Sequence, residues 1–192
     1  MPTRIKGASL INTIGILREV LGGARFQEIV ARCPTQTQNL IRRTLIALEW
    51  VPLEQWAPFL QAIYEHICHK DEPQFRRLMR AVCKRDFSTL YRSYVAQASP
   101  QSVLDKLDSI WSSYFDSGSL GLSPELPEPG SKLSTVQLRD LETSFPVYAI
   151  MMHAYLEQLM FMTGAKSCTI QRGNERLTNG KVACDYTINL GA

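Results

Sequence analysis

Between Ser9 and Leu21 the apolar positions Leu10, Ile11, Ile14, Leu17, Val20 and Leu21 recur at helical spacing with polar residues between them. Ser9 stands where an N-cap belongs and Gly22-Gly23 where a helix stops, so the pattern predicts a first helix. A second, short one passes through Phe26, Ile29 and Val30 and ends before Pro34. Thr35 or Thr37 then caps a third, built on Leu40, Ile41, Leu45 and Leu48, with Arg42 and Arg43 on its wet face. After Trp50-Val51-Pro52 the stripe Trp56, Leu60, Ile63, Tyr64 and Ile67 predicts a fourth, with Pro58 marking a tight turn or a late start. From Asp71-Glu72-Pro73 the repeat Phe75, Leu78, Met79, Val82, Phe87, Leu90, Tyr91 and Tyr94 continues to about Ala98, with Asp86 and Ser88 marking a break. Gln101 to Phe115 is amphipathic on Val103, Leu104, Leu107, Ile110, Trp111 and Tyr114, and stops at Asp116-Ser117-Gly118.

The period then changes. Residues 117–131 are rich in Pro, Gly and Ser and read as a loop or an extended edge segment. Lys132 to Leu141 alternates as a half-buried strand does. Pro146 opens a helix to Thr163 that is apolar around most of its circumference, as a central buried helix is, and Gly164 caps it. Ser167 to Ile170 and Lys181 to Leu190 read as strands, the second with Val182, Cys184, Tyr186, Ile188 and Leu190 on one face. Thr178-Asn179-Gly180-Lys181 carries the signal of a type I′ hairpin turn. Leu177 then faces Val182, but the same parity sets Ile170 against Asn189, so one extra residue is expected near Arg172-Gly173-Asn174. The fold class expected is α+β: an N-terminal helical bundle packed on a small antiparallel β-sheet with a central buried helix. It is read as a single domain over residues 1–192, with a helical block at 5–116, a loop at 117–131 and a strand-helix-hairpin block at 132–192.

Composition narrows the function classes. A net charge of +3, with Lys and Arg scattered among Asp and Glu, gives no basic stripe for phosphate neutralisation, so nucleic acid is not an expected partner. Five widely spaced cysteines within apolar patterns read as free thiols in a reducing compartment, which points to the cytoplasm. The N-terminal apolar stretch is broken by Asn12 and Thr13 and lacks a small-residue cleavage pattern, so no signal peptide is read there. Phe145 to Thr163 carries His153, Glu157 and Gln158 and is at the short limit for a membrane span.

The candidate chemistry is sparse. His66 and His69 share a helical face, but Cys68 points elsewhere and no second ligand pair has matching spacing, so no metal site is expected. His153 reads as a hydrogen-bonded core histidine with Glu157 one turn on as its partner; the sharper reading is an iron ligand or a base. Cys168 and Cys184 read as reduced core thiols. No phosphate loop, nucleophile elbow or His-Glu-x-x-His helix occurs, so no catalytic residues are assigned and the chain is not expected to be an enzyme.

One stretch carries a resemblance. A helix ends Ile110-Trp111-Ser-Ser-Tyr114-Phe115, and a loop, a strand and an apolar helix ending Thr163-Gly164 follow. Cys168-Thr-Ile170, a Gly-containing connection and Val182-Ala-Cys184-Asp-Tyr186-Thr-Ile188 complete the order. This order resembles the ligand-binding superfold shared by heme-nitric-oxide-binding domains, four-vinyl-reductase domains and core subunits of the TRAPP tethering complex. With the preceding helices it is most similar to an uncharacterised myxobacterial-type family of that superfold. The resemblance implies a pocket or apolar channel between helices and sheet, used for sensing or assembly. Heme-binding members carry an iron-ligating histidine in the helix before the loop and a Tyr-x-Ser-x-Arg element. Here Gln101 to Phe115 has no histidine and Tyr91-Arg-Ser-Tyr94 does not reproduce the element, so no cofactor is expected and heme is disfavoured. The leading expectation is a non-enzymatic bacterial regulatory or adaptor module that works through protein contacts or self-association, with Trp50, Trp56, Trp111 and Tyr114 as its partner surface. The alternative is a sensor for an apolar small molecule or tetrapyrrole between the central helix and the sheet. Its pocket would be lined by Met151, Met152, His153, Tyr155, Met160, Cys168, Cys184 and Tyr186.

Overall fold

The computed structural model describes residues 3–124, 133–173 and 175–191. In chain order its elements begin β1 (Arg4–Lys6), α1 (Gly7–Leu21), α2 (Gly23–Arg32), α3 (Thr35–Arg42), β2 (Trp50–Pro52) and α4 (Leu53–Ala62). A single π-helical turn (Ile63–Ile67) leads to α5 (Glu72–Ser88), α6 (Arg92–Val95), α7 (Pro100–Leu104) and α8 (Leu107–Tyr114). Then follow β3 (Ser119–Leu122), β4 (Leu133–Glu142), α9 (Val147–Met162), β5 (Cys168–Arg172), β6 (Arg176–Thr178) and β7 (Lys181–Leu190). The fold is α+β, as the change of period along the chain implies. Among the described residues no helix is long and apolar enough to cross a membrane.

Local chemistry sets the helix ends. Asp71 caps α5 by accepting the Gln74 N–H at 2.6 Å, with Pro73 in the first turn. Ser99 and Ser102 form a reciprocal capping box at α7. Ser9 lies inside α1, whose N-cap is Lys6, and Pro58 is carried within α4. The stripe read through Leu45 and Leu48 is not helical. The Glu49 carboxylate accepts from the Arg43 guanidinium at 2.9 and 2.7 Å and from the Ile46 N–H at 2.8 Å, folding the chain back so that β2 pairs antiparallel with β1. Leu48 is left 79% exposed. The helix expected over 101–115 is likewise broken, at Asp105-Lys106.

The main sheet is antiparallel in the order β3-β4-β7-β5, with β6 also paired to β7. The segment with loop composition before β4 supplies an edge strand over Ser119–Leu122, and positions 125–131 of that Pro-rich stretch lie outside the described residues. Asn179 and Gly180 both have positive φ at the β6–β7 turn, as a type I′ turn demands. Ile170 faces Ile188 and Leu177 faces Val182, so β5–β6 carries one more residue than the opposing stretch of β7 and both faces stay in phase. A second irregularity lies between Leu138 and Leu141 of β4, where Asp140 has φ 54°. Gly118 sits beside it with φ 72°, and a Cβ there would meet the Arg139 carbonyl oxygen at 3.0 Å.

α9 is the axis of the core. Its residues from Val147 to Leu156, together with Leu159 and Met160, are buried, because the sheet covers one side of the helix and α5 and α7 cover others, with Tyr114 of α8 edge-on to Tyr155. The Tyr186 hydroxyl donates to the Ala149 carbonyl at 2.9 Å and fastens the sheet to the helix. The buried apolar side chains of both blocks form one cluster.

Candidate functional site: an apolar cavity beside the central helix

Between α9 and the helical block lies an apolar cavity. It measures about 40 Å³, and its walls come from α1, α4, α5, α8, α9 and the first strands. Met151, Met152 and Tyr155 supply the α9 wall, Met79 and Phe87 that of α5, and Trp111 and Tyr114 that of α8. Trp111 stacks on Phe115 with centroids 4.2 Å apart, and Tyr91 on Tyr114 at 4.3 Å. The Trp111 Nε1–H donates to the Ser117 carbonyl at 3.0 Å, which fixes the indole where the chain leaves α8.

Behind this wall sits a buried carboxylate. Asp86 is 0% exposed; its Oδ1 accepts from Asn12 Nδ2 at 2.8 Å, and its Oδ2 accepts from the hydroxyls of Tyr155 at 2.9 Å and Tyr114 at 3.2 Å. One side chain thereby joins α1, α5, α8 and α9. Burial raises the Asp86 carboxyl to about 6, against the pull of the three donors. Burial and the Asp86 charge push both tyrosines well above their ordinary value, so they remain phenols that donate.

The residues singled out in the sequence fall in different places. Met151, Met152 and Tyr155 line the cavity. His153 lies on another face of α9, toward the sheet, with its ring centroid 6.5 Å from that of Tyr186 on β7. The partner of His153 is Arg76, whose Nη1 donates to Nε2 at 2.8 Å, whereas Glu157 pairs with Arg80 at 3.2 Å. Burial first, and Arg76 next, lower His153 to about 4, so the ring is neutral. Met160 is buried near the end of α9; Cys184 is buried on β7 and Cys168 half-buried on β5, where it faces Leu190. All five cysteines are free. Burial raises Cys33, Cys68, Cys168 and Cys184 to about 11 and Cys83 well above its ordinary value, so they remain thiols. Trp56, Trp111 and Tyr114, offered as a partner surface, are buried in the cavity wall, and Trp50 is half-buried beneath Lys6. His66 and His69 are exposed and Cys68 is buried; among the described residues no group of three His, Cys, Asp or Glu is placed to hold a metal ion.

Asp86, which the sequence pattern reads as a break in a helix, is a buried residue within α5. The signal was present: with Met79, Val82, Cys83 and Phe87 it occupies the apolar stripe of α5, where a carboxylate needs buried donors.

No protein-family model and no curated protein matches the chain. Solved structures do. The chain is similar to an oxygen-binding H-NOX domain related to soluble guanylate cyclases, solved as its oxygen complex, at 13% identity over 97% of this chain and 95% of that one, with a TM-score of 0.68. An Fe(II) unliganded H-NOX mutant protein from K. algicida is similar at 8% identity over 97% of both chains, TM-score 0.68. A third structure, from work on heme redox potential and porphyrin distortion, is similar at 14% identity over 96% of this chain and 99% of that one, TM-score 0.66. These likenesses show the H-NOX-like fold. They also overturn the expectation of no cofactor, since these neighbours include an oxygen-binding H-NOX domain and structures from work on heme distortion in the H-NOX family. That expectation rested on a missing histidine in residues 101–115, whereas helix layout and sheet order make this fold without it.

The cavity fits an apolar ring in some respects and not in others. Its walls are almost wholly hydrocarbon and aromatic, suited to a macrocycle. Among the described residues no histidine or cysteine lines it, so an imidazole-ligated or thiolate-ligated iron does not fit the lining. The soft donors that reach it are the thioethers of Met79, Met151 and Met152, a ligand type heme iron accepts, while both phenols are committed to Asp86. At about 40 Å³ it is far smaller than the roughly 300–1,000 Å³ of ligand sites, so the aromatic wall must open to admit one.

Proposed function

We propose that this chain is a non-catalytic sensor module of a bacterial signalling system. It takes an apolar ligand, of which a heme-type tetrapyrrole is the foremost candidate, into the space between α9 and the helical block. The observation that carries this reading is the position of the apolar cavity, walled by α5, α8 and α9, in a fold whose solved neighbours are heme and oxygen-binding domains. It displaces the reading of the chain as an adaptor that works only through protein contacts, because Trp56, Trp111 and Tyr114, three of the four aromatic residues that reading needs, lie inside the cavity wall.

The residues suggest how occupancy would be signalled. A ligand that enters must part the Trp111–Phe115 stack, and Phe115 is bridged to Ile5 of β1 while Trp111 is bonded to Ser117 before β3. Tyr114 and Tyr155 stand between the cavity and Asp86, so their displacement changes how α8 and α9 are tied to α5. When bound, heme would supply an iron open to diatomic gases.

Apolar contacts do most of the holding in this reading, and iron adds little. Purified protein titrated with hemin and with metal-free protoporphyrin, followed by absorbance and native mass spectrometry, should bind one equivalent of each, with affinities within about tenfold of one another. Failure of both to saturate at one equivalent contradicts the proposal.

A further inference from the structure

We propose that β1, with Thr3 before it, is a strap across one side of the apolar cavity that opens to admit a ligand and to release it, an inference that rests on the sensor reading above. Ile5 is 3% exposed and lines the cavity beside Trp111, Phe115 and Leu120. By the alternation of a strand its neighbours face outward, Arg4 exposed and Lys6 half-buried with its ammonium 4.1 Å from the Trp50 ring centre. The wall is one strand thick on this side. Elsewhere it is backed: α9 packs on the sheet, and α1, α5, α8 and α9 are joined through Asp86.

The two edges of the strap are held by different chemistry. Toward residues 47–53 the bonds run from backbone to backbone. They are the pairing of β1 with β2, the Leu53 N–H to the Thr3 carbonyl at 2.8 Å, and the Gly7 and Ala8 N–H groups to the Glu49 and Ala47 carbonyls at 2.9 and 3.0 Å. Toward residues 115–117 they run largely through side chains. The Asp116 carboxylate accepts from the Arg4 N–H at 2.7 Å and from Arg4 Nε at 2.5 Å. Thr3 Oγ1 lies 2.8 Å from Ser117 Oγ and accepts from the Glu142 N–H at 3.1 Å. The Asp116 N–H to the Arg4 carbonyl at 3.2 Å and the bridge between Ile5 and Phe115 complete this edge.

The first edge acts as a hinge and the second as a latch. The Arg4 side chain is 48% exposed, so water competes for its ion pair and the latch opens at small cost. The latch residues also belong to the cavity wall: Phe115 stacks on Trp111, and the Ser117 carbonyl holds the Trp111 indole. Releasing the strap therefore frees the stack that an entering ligand has to part.

Amide hydrogen exchange on the full chain without ligand reads the strap directly. The Arg4 and Asp116 amides should show protection at least about tenfold lower than those of Gly7, Ala8 and Leu53, through an opening smaller than global unfolding. Equal protection at the two edges overturns the proposal. Uptake and release of metal-free protoporphyrin, followed by stopped-flow fluorescence, tie the opening to the cavity. Asp116→Asn should speed both about 3- to 10-fold and leave the dissociation constant within about twofold, because it eases opening of the free and the loaded protein alike. Thr3→Cys combined with Ser117→Cys, cross-linked by oxidised glutathione, should slow both at least about tenfold, and a reductant should restore them. The parent given the same oxidant should not change. Rates that a formed cross-link does not move, with binding intact, overturn the strap and leave the sensor reading standing. A parent that binds no protoporphyrin contradicts the sensor reading and the strap with it.

Discussion

The two faces of α9 solve the burial of an ionisable group in opposite ways. On the cavity side Asp86 reaches Tyr155, and each carboxylate oxygen of that network meets a donor. On the sheet side His153 meets Arg76 through Nε2, and among the described residues its Nδ1 has no hydrogen-bond partner. A closed network makes a rigid wall that a ligand must disturb in order to be noticed. The same contrast appears in acid–base terms: burial raises a carboxyl on one face to about 6 and lowers an imidazole on the other to about 4.

The contrast breaks most visibly if the carboxylate is removed. Asp86→Ala strips the acceptor from Asn12, Tyr114 and Tyr155 at once and should cost about 3 kcal/mol or more in denaturant unfolding. Asp86→Asn, which retains an acceptor, should cost much less.

Acidity provides the next largest effect, and its direction differs between the faces. Asp86 titrates near 6 when folded and near 3.8 when unfolded, so the native state holds the extra proton, and its contribution to stability declines as pH rises from about 4 to about 6. His153 titrates near 4 when folded and 6.5 when unfolded; the unfolded state holds the extra proton, and its contribution is lost as pH falls through the same range. Each amounts to about 3 kcal/mol, so they offset in the parent protein. Asp86→Asn should become more stable as pH rises between 4 and 6.5, and His153→Gln less stable as pH rises between 4 and 6, as read by chemical unfolding at fixed temperature. Parallel slopes in the two variants would contradict the assignment.

Single hydroxyls should matter less. Tyr155→Phe and Tyr186→Phe each remove one buried hydrogen bond and should cost about 1–2 kcal/mol, the first by weakening the Asp86 network and the second by freeing the Ala149 carbonyl. Leu48→Ser, at a position 79% exposed, should change stability by less than about 0.5 kcal/mol.

Legibility in the sequence follows the strength of the periodic signal. The all-apolar run of α9, the alternation of β7 and the Asn179-Gly180 turn each repeat over enough residues to declare themselves, and the parity of Ile170 and Leu177 even locates the inserted residue of the β5–β6 side. β1 and β2 are too short to show a period, and each exists because the other pairs with it. Leu45 and Leu48 have helical spacing, yet the Glu49 contacts to Arg43 and Ile46 outweigh it. The candidate site was legible only in part. Met151, Met152 and Tyr155 could be chosen from their helix, but whether a side chain on a helix buried on all sides faces the sheet or the helical block depends on tertiary packing. For the same reason His153 met Arg76, 77 residues away in sequence, instead of Glu157 one turn on.

The account rests most heavily on the cavity beside Met152. Hemin titration of three proteins tests it: the parent, Met152→Trp, which fills the cavity, and Tyr186→Phe, which alters the sheet side of α9, with each fold checked by circular dichroism. The parent and Tyr186→Phe should each take up one equivalent, and Met152→Trp should bind at least about tenfold more weakly. No saturable binding by the parent, or undiminished binding by a folded Met152→Trp, would contradict a sensor built around this cavity.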